Sequence, residues 1–274
     1  MNAAATPPAI PIAVTIAGSD SGGGAGIQAD LKTFSALKVF GASVLTALTA
    51  QNTRGVTAIH DAPPDFITAQ IDAVFDDLAV RAVKIGMLSR PAAIRAVAEG
   101  LRRWAGPPIV LDPVMVAASG ARLLEDAAID TLRTELLPLA DLITPNLPEA
   151  AALLDTDMAL NEAQMQAQGE ALLALGARAV LVKGGHGEGA ESVDLLVTPG
   201  GVARFPAPRV ATRNTHGTGC TLSSAIAAGL AHGLPLEAAV RQAKAYISGA
   251  IAAADRLDVG KGHGPVHHFH ALWG

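Results

Sequence analysis

Short apolar runs alternate with longer amphipathic ones along almost the whole chain, and the two kinds of run have different periods. Compact runs of aliphatic and β-branched residues read as strands at Ala13–Ala17, Ser43–Ala50, Ala82–Gly86, Ile109–Asp112, Leu142–Thr144 and Ala179–Lys183. Apolar residues returning every three to four positions predict helices over Ile27–Leu37, Asp65–Leu78, Ala92–Arg103, Ala127–Leu136, Glu162–Leu175, Thr218–Leu230 and Leu236–Ala254. Regular alternation of this kind is the signature of βαβ units, so the pattern predicts an α/β fold with a mostly parallel central sheet flanked by helices. One segment departs from it. Val193–Thr198 and Val202–Phe205, joined around Pro199-Gly200-Gly201, read as a small β-hairpin flap, and the Gly-rich run 184–189 before it as a mobile loop. Gly184–Ser192 is expected to order when a nucleotide binds.

Composition narrows the class. A chain of 274 residues with 50% hydrophobic content has enough apolar side chains for a sizeable core, which suits one domain over 12–274 behind a loose tail at 1–11. The net charge of −5, without a long Lys/Arg run, argues against a nucleic-acid partner and for small soluble substrates. A single cysteine excludes an internal disulfide and suits a reducing cytoplasm. No stretch has the length of a membrane span, and residues 1–11 lack the charged region and apolar block of a signal peptide.

Chemistry concentrates where strands end. Ligands in open α/β sheets gather outside the carboxyl ends of the strands, and here those ends carry Gly18-Ser19-Asp20, Gln51-Asn52, Met87, Asp112, Asn146 and Lys183. The most informative segment is Asn214-Thr215-His216-Gly217-Thr218-Gly219-Cys220, which runs directly into an apolar helical pattern. Gly217 and Gly219 permit close backbone approach, and the first turn of a helix leaves N–H groups free to bind phosphate. Cys220 closes this cradle where the helix dipole favours negative charge. A Gly-rich loop that merely starts a packed helix, with Cys220 as a small hydrophobe, is the alternative. A second glycine loop, residues 18–26, holds five glycines in nine positions. No Gly-x-x-x-x-Gly-Lys-Ser/Thr motif is present, which removes the P-loop. Gly24-Ala25-Gly26-Ile27-Gln28-Ala29 satisfies a loose dinucleotide motif, but the second strand ends in Gln51 where such a fold wants an acid, so NAD binding is a weak alternative.

These motifs together carry a family resemblance. Gly18-Ser19-Asp20, Gly23-Gly24-Ala25-Gly26-Ile27-Gln28-Ala29-Asp30, Ala50-Gln51-Asn52-Thr53-Arg54-Gly55, Lys84-Ile85-Gly86-Met87, Thr144-Pro145-Asn146-Leu147-Pro148-Glu149, Val182-Lys183-Gly184-Gly185-His186 and the Asn214–Cys220 segment resemble the bacterial hydroxymethylpyrimidine/phosphomethylpyrimidine kinases of thiamine biosynthesis. The likeness spans the chain after its N-terminal tail. It implies a ribokinase-like fold and a cytoplasmic enzyme, a homodimer, that phosphorylates 4-amino-5-hydroxymethyl-2-methylpyrimidine twice with ATP and Mg²⁺.

The resemblance also implies roles. Gly18, Asp30 and Gln51 would hold the aminopyrimidine, with Met87 against the ring. A Gln carboxamide offers a donor beside an acceptor, complementary to a ring nitrogen next to an amino group. Asn146, Lys183, Thr218 and Gly219 would bind ATP phosphates, and Asp112 and Glu149 would hold Mg²⁺, whose preferred ligands are oxygens. Glu149 also reads as a carboxylate favoured at a helix start. Gly217, Gly219, Lys183 and Cys220 would form the catalytic end, with Cys220 where the wider superfamily usually has an Asp base. Two other readings stay open: a pyridoxal kinase on the same scaffold, and a non-catalytic pyrimidine or nucleotide sensor. His267, His268 and His270 read as a structural or interface segment.

Overall fold

The computed structural model describes residues 10–115, 123, 126–185, 187 and 189–273. Residues 1–9 of the tail expected at 1–11, and His186 and Glu188 of the Gly184–Ser192 loop, lie outside the described residues. Nine strands form one sheet in the order β3-β2-β1-β4-β5-β6-β7-β8-β9. They are β1 (Ile12–Asp20), β2 (Phe40–Asn52), β3 (Gly55–Asp61), β4 (Val80–Ile85), β5 (Ile109–Leu111), β6 (Leu142–Ile143), β7 (Val180–Lys183), β8 (Glu191–Thr198) and β9 (Gly201–Pro208). From β2 to β7 every neighbouring pair is parallel. The two edges are antiparallel: β3 on β2, and the β8–β9 hairpin on β7.

The period-2 pattern explains why these segments are strands. Along β1, Val14 and Ile16 enter one core while Ala13 enters the other, and the alternation repeats at Val83 and Ile85 against Ala82, and at Val180 and Val182 against Leu181. The first core is closed by α2 (Pro64–Asp77), α3 (Pro91–Arg103), α5 (Leu147–Leu154) and α6 (Glu162–Ala174) through Ile67, Ile71, Ile94, Val97, Leu153 and Leu172. The second is closed by α1 (Gly26–Ala36), α7 (Thr218–Ala231) and α8 (Leu236–Ala252) through Phe34, Ile226, Val240 and Ile247. A short helix, α4 (Asp126–Thr131), precedes a π turn and a 3₁₀ turn that carry the chain to Leu139. No helix among the described residues is long and apolar enough to cross a membrane.

Three elements differ from expectation. The hairpin is not a separate flap: Val193, Leu195 and Val197 face one core and Leu196 and Phe205 the other, so β8 and β9 extend the sheet. The loop before it is tied to this edge by Arg209, whose guanidinium donates to the carbonyls of Gly185, Gly189 and Glu191 at 2.8, 3.0 and 3.3 Å. Strand β3 has no apolar repeat because most of its residues are exposed at the sheet edge. Helix α5 is only 8 residues long and too uniformly apolar to show a period.

Candidate active site

The parallel strands all deliver their carboxyl ends to one side of the sheet, where they line a cavity of about 740 Å³. It sits over β1 and β4, the point from which the connections run outward in opposite directions and where open α/β sheets leave a crevice. Gly18, Gln51, Met87, Asp112, Asn146, Glu149, Lys183, Gly217, Thr218, Gly219 and Cys220 all border it.

At one end is the glycine cradle. Gly217 caps α7 with φ of 82°, and a Cβ there would stand 1.9 Å from the Gly24 carbonyl oxygen, so both conformation and contact require glycine. The Thr218 amide and hydroxyl both turn back onto the Thr215 carbonyl, at 3.2 and 2.6 Å. The amides of Gly219 and Cys220 take no backbone acceptor among the described residues, leaving two N–H groups at the positive end of the helix. Lys183 Nζ lies 3.4 Å from where a Gly219 Cβ would be, so the ammonium lies close to the first turn of α7.

Lys183 is shared by two buried carboxylates, Asp112 at 2.8 Å and Glu149 at 3.7 Å. Burial pushes the Asp112 carboxyl up, but Lys183 and Lys84 together with Lys183 and Thr144 hydrogen bonds hold it below the usual carboxylate range. For Glu149 burial wins over Lys183, and its carboxyl is pushed up to about 7. Glu149 is also the N3 member of a capping box: the Asn146 amide donates to it at 2.8 Å, and its own amide donates to the Asn146 side chain at 2.9 Å. Two carboxyl groups beside Lys183 thus place hard oxygens in the cavity, one of them ionised and the other titrating near neutral pH. That donor set fits Mg²⁺, which commonly takes one or two protein carboxylates and keeps water on its other positions.

At the other end, a Cβ on Gly18 would meet Met87 Cε at 2.7 Å, so the glycine leaves room for the thioether at the cavity wall. Gln51 is half-buried, its Oε1 accepting from Thr49 at 3.0 Å. Asp30 departs from expectation. Its side chain is fully buried and does not line the cavity. It accepts from Lys84 at 2.9 and 2.8 Å, from Thr15 at 2.6 Å and from Ser224 at 2.6 Å, which saturates a carboxylate. Asp30 is therefore a tie beneath the floor rather than a group free to meet a ligand. Lys84, unlike Asp30, does border the cavity, and although burial pulls its ammonium down, Asp30, Cys220 and Asp112 hold it well above its ordinary range.

Cys220 is half-buried, and burial pushes its thiol up to about 11 despite the Lys84 charge and a hydrogen bond from the Gly26 amide. The thiolate expected from the helix dipole is thus a minor form at neutral pH. Two further residues went unremarked as site groups in the sequence. Asp20 and His216 are joined by a 2.9 Å contact from His216 Nε2, and Asp20 also accepts the amides of Gly22, Gly24 and Ala25 at 2.8, 3.1 and 2.8 Å. Burial raises the Asp20 carboxyl, but His216 and these amides bring it below its ordinary value. The signal was an acid closing a strand beside a glycine loop, and a histidine inside the second loop. His268, by contrast, meets Thr221 at 3.0 Å in the packing of the C-terminal segment on α7.

The phosphomethylpyrimidine kinase family matches residues 20–267. The chain is 62% identical over 262 residues to the hydroxymethylpyrimidine/phosphomethylpyrimidine kinase of Rhizobium meliloti, covering 96% of this chain and 98% of that one. It is 52% identical to the thiamine biosynthesis bifunctional protein of Geobacter sulfurreducens, across 93% of this chain and 51% of that protein. Among solved structures, an ADP complex of Bacillus subtilis pyridoxal kinase superposes with a TM-score of 0.89 at 34% identity, covering 97% of this chain and 100% of that one. The fold is ribokinase-like.

Proposed function

We propose that this chain, which belongs to the phosphomethylpyrimidine kinase family, uses the cavity to transfer the γ-phosphoryl group of ATP to 4-amino-5-hydroxymethyl-2-methylpyrimidine, and then to the monophosphate so formed, for thiamine diphosphate biosynthesis. The observation that carries this reading is the pairing, in one cavity, of a polar edge at Gln51 with a phosphate cradle at Gly217–Cys220. Ring and phosphate each have a complementary end.

In the first step the pyrimidine lies against Met87 and Gly18, with Gln51 on its amino edge and its hydroxymethyl group toward Gly219. The alcohol oxygen bonds to the γ-phosphorus as the bond to the bridging oxygen breaks and ADP leaves. Such transfer has a loose transition state, so charge stabilisation matters more than a strong base. The amides of Gly219 and Cys220 and the Lys183 ammonium supply that stabilisation. Mg²⁺, bound beside Asp112 and Glu149, would neutralise phosphate charge. Asn146 borders the same region, while Thr218 contributes its place in the cradle rather than a free donor. Cys220 receives the alcohol proton, and because its thiolate is a minor form below about pH 11, this step draws on a small fraction of the enzyme at neutral pH. In the second step the acceptor is already an anion and needs no base.

A single domain over 12–274, a cytoplasmic location and a homodimer complete the proposal. The test is incubation with the pyrimidine alcohol, ATP and Mg²⁺, resolving mono- from diphosphate product. Both products are expected in sequence. The likeness to pyridoxal kinase structures favours a second reading, and phosphorylation of pyridoxal without turnover of the pyrimidine would replace the first with it.

A further inference from the structure

Two glycine loops meet over the cavity, and a pair of side chains that the transfer step does not use joins them. Asp20 ends β1 and anchors the first loop, its carboxylate collecting three loop amides. His216 begins the second, one residue before the Gly217 cap. Both are buried, at 3% and 7% exposure, so their 2.9 Å contact is shielded from water. The loops pack backbone against side chain here: a Cβ on Gly24 would stand 2.4 Å from the His216 ring. The C-terminal segment holds the backbone of His216, whose amide donates to Gly264 at 3.0 Å and whose carbonyl accepts from Val266 at 3.2 Å.

The same ring nitrogen that meets Asp20 lies 3.5 Å from Gln51 Nε2. An ionised Asp20 is acceptor-only, so His216 Nε2 carries the proton and has no lone pair for the Gln51 amide. The carboxamide NH₂ therefore finds no acceptor on that side, while its oxygen lies 3.0 Å from the Thr49 hydroxyl, whose one proton it shares with the Ser19 carbonyl at 2.8 Å. Ser21, next to Asp20, brackets the Gln51 backbone, accepting from its amide at 2.9 Å and donating to its carbonyl at 2.8 Å. Ser21 thus fixes the Gln51 backbone, while His216, held by Asp20, walls one side of the carboxamide without taking either of its donors, which stay available to the cavity.

We infer that His216 is a positioning residue for substrate recognition: held by Asp20, it fixes the Gln51 carboxamide toward the pyrimidine and couples that end of the cavity to the phosphate cradle. This rests on the reading that Gln51 meets the pyrimidine. Occupancy of either end then favours the other, since ring binding at Gln51 and phosphate binding at Gly219 share one link.

The test is a double-mutant cycle with His216→Ala and Gln51→Met, read as kcat/KM for the pyrimidine alcohol and as its Kd with and without a non-hydrolysable ATP analogue. Expected for His216→Ala are a loss of about 5- to 50-fold in kcat/KM, carried by KM, and loss of the ATP-analogue effect on Kd, in a protein that melts at a lower temperature but still cooperatively. In the Gln51→Met background the same substitution should cost little, because its target is gone. His216→Gln, whose amide nitrogen reaches the position of Nε2, should restore most of the activity; His216→Asn, too short to reach Asp20, should not. If His216→Ala does not fold, the Gln and Asn variants make the same comparison. Equal losses in both Gln51 backgrounds, or identical Gln and Asn variants, would overturn the inference. Wild-type enzyme that ignores the pyrimidine would instead fail the functional reading itself.

Discussion

Replacing Asp30 by Asn separates a structural tie from a ligand group. The side chain keeps its volume, so no cavity opens, and the change is one of charge and hydrogen-bonding capacity. The native carboxylate receives donors from Lys84, Thr15 and Ser224, which bring β4, β1 and α7 onto α1 at one fully buried point. An Asn has one acceptor oxygen for these three partners and turns its NH₂ toward donors. Lys84 is then a buried ammonium without its anion. Breaking a buried ion pair on one side costs about 3–5 kcal/mol. For a protein of this size a melting temperature moves by about 2–4 °C per kcal/mol, so Asp30→Asn should lower it by roughly 6–20 °C.

The pH dependence gives the argument a sign. In the wild type, Asp30 first among its neighbours holds the Lys84 ammonium above its ordinary value against the pull of burial. Without Asp30, burial dominates and the folded-state value falls below the unfolded one. The unfolded chain then binds more protons, so the variant gains stability as pH rises toward the ordinary lysine range, where wild type does not. Thermal unfolding followed by circular dichroism at pH 7 and pH 9.5 measures the gap, which should narrow at the higher pH. A variant that melts like wild type but no longer binds the pyrimidine would refute the reasoning and return Asp30 to the ligand.

Cys220→Ala should slow the first phosphorylation by ~10²–10⁴-fold and the second far less, if the thiol takes the alcohol proton. The wild-type first step should then rise with pH up to about 11 while the second does not; equal, small effects on both steps would leave Cys220 as a packing residue. Glu149→Gln should stabilise the metal-free protein above pH 7, because the native carboxyl, raised to about 7, binds protons more tightly folded than unfolded and so loses stability as pH rises from its unfolded value to about 7. The gain should vanish near pH 4, and Mg²⁺-dependent turnover should fall; a pH-independent difference in melting temperature would count against it. Hydrogen exchange at Gly184–Ser192 should slow when a nucleotide binds. Unchanged exchange there would make the loop a fixed edge held by Arg209.

Strand ends were legible because polar residues interrupt an apolar period there: Asp112, Asn146 and Lys183 each follow a buried run, and each reaches the cavity. The cradle was legible for the same reason, since Gly217 needs a conformation that side chains resist. Less legible was which acid in a glycine-loop unit faces the ligand, yet the pattern holds a clue. Asp30 lies three residues after Ile27 and four before Phe34, both buried on the inner face of α1, and Lys84 interrupts the apolar run of β4 between Val83 and Ile85. A charge at a core-facing position is tolerated only when paired. Two opposite charges at core positions of α1 and β4, elements packed on the same central sheet, therefore call for each other before either calls for a substrate. Asp20 follows the converse logic: at the end of its strand, beyond the apolar run and beside glycines, a carboxylate has backbone amides within reach and a histidine from the second loop to complete its shell.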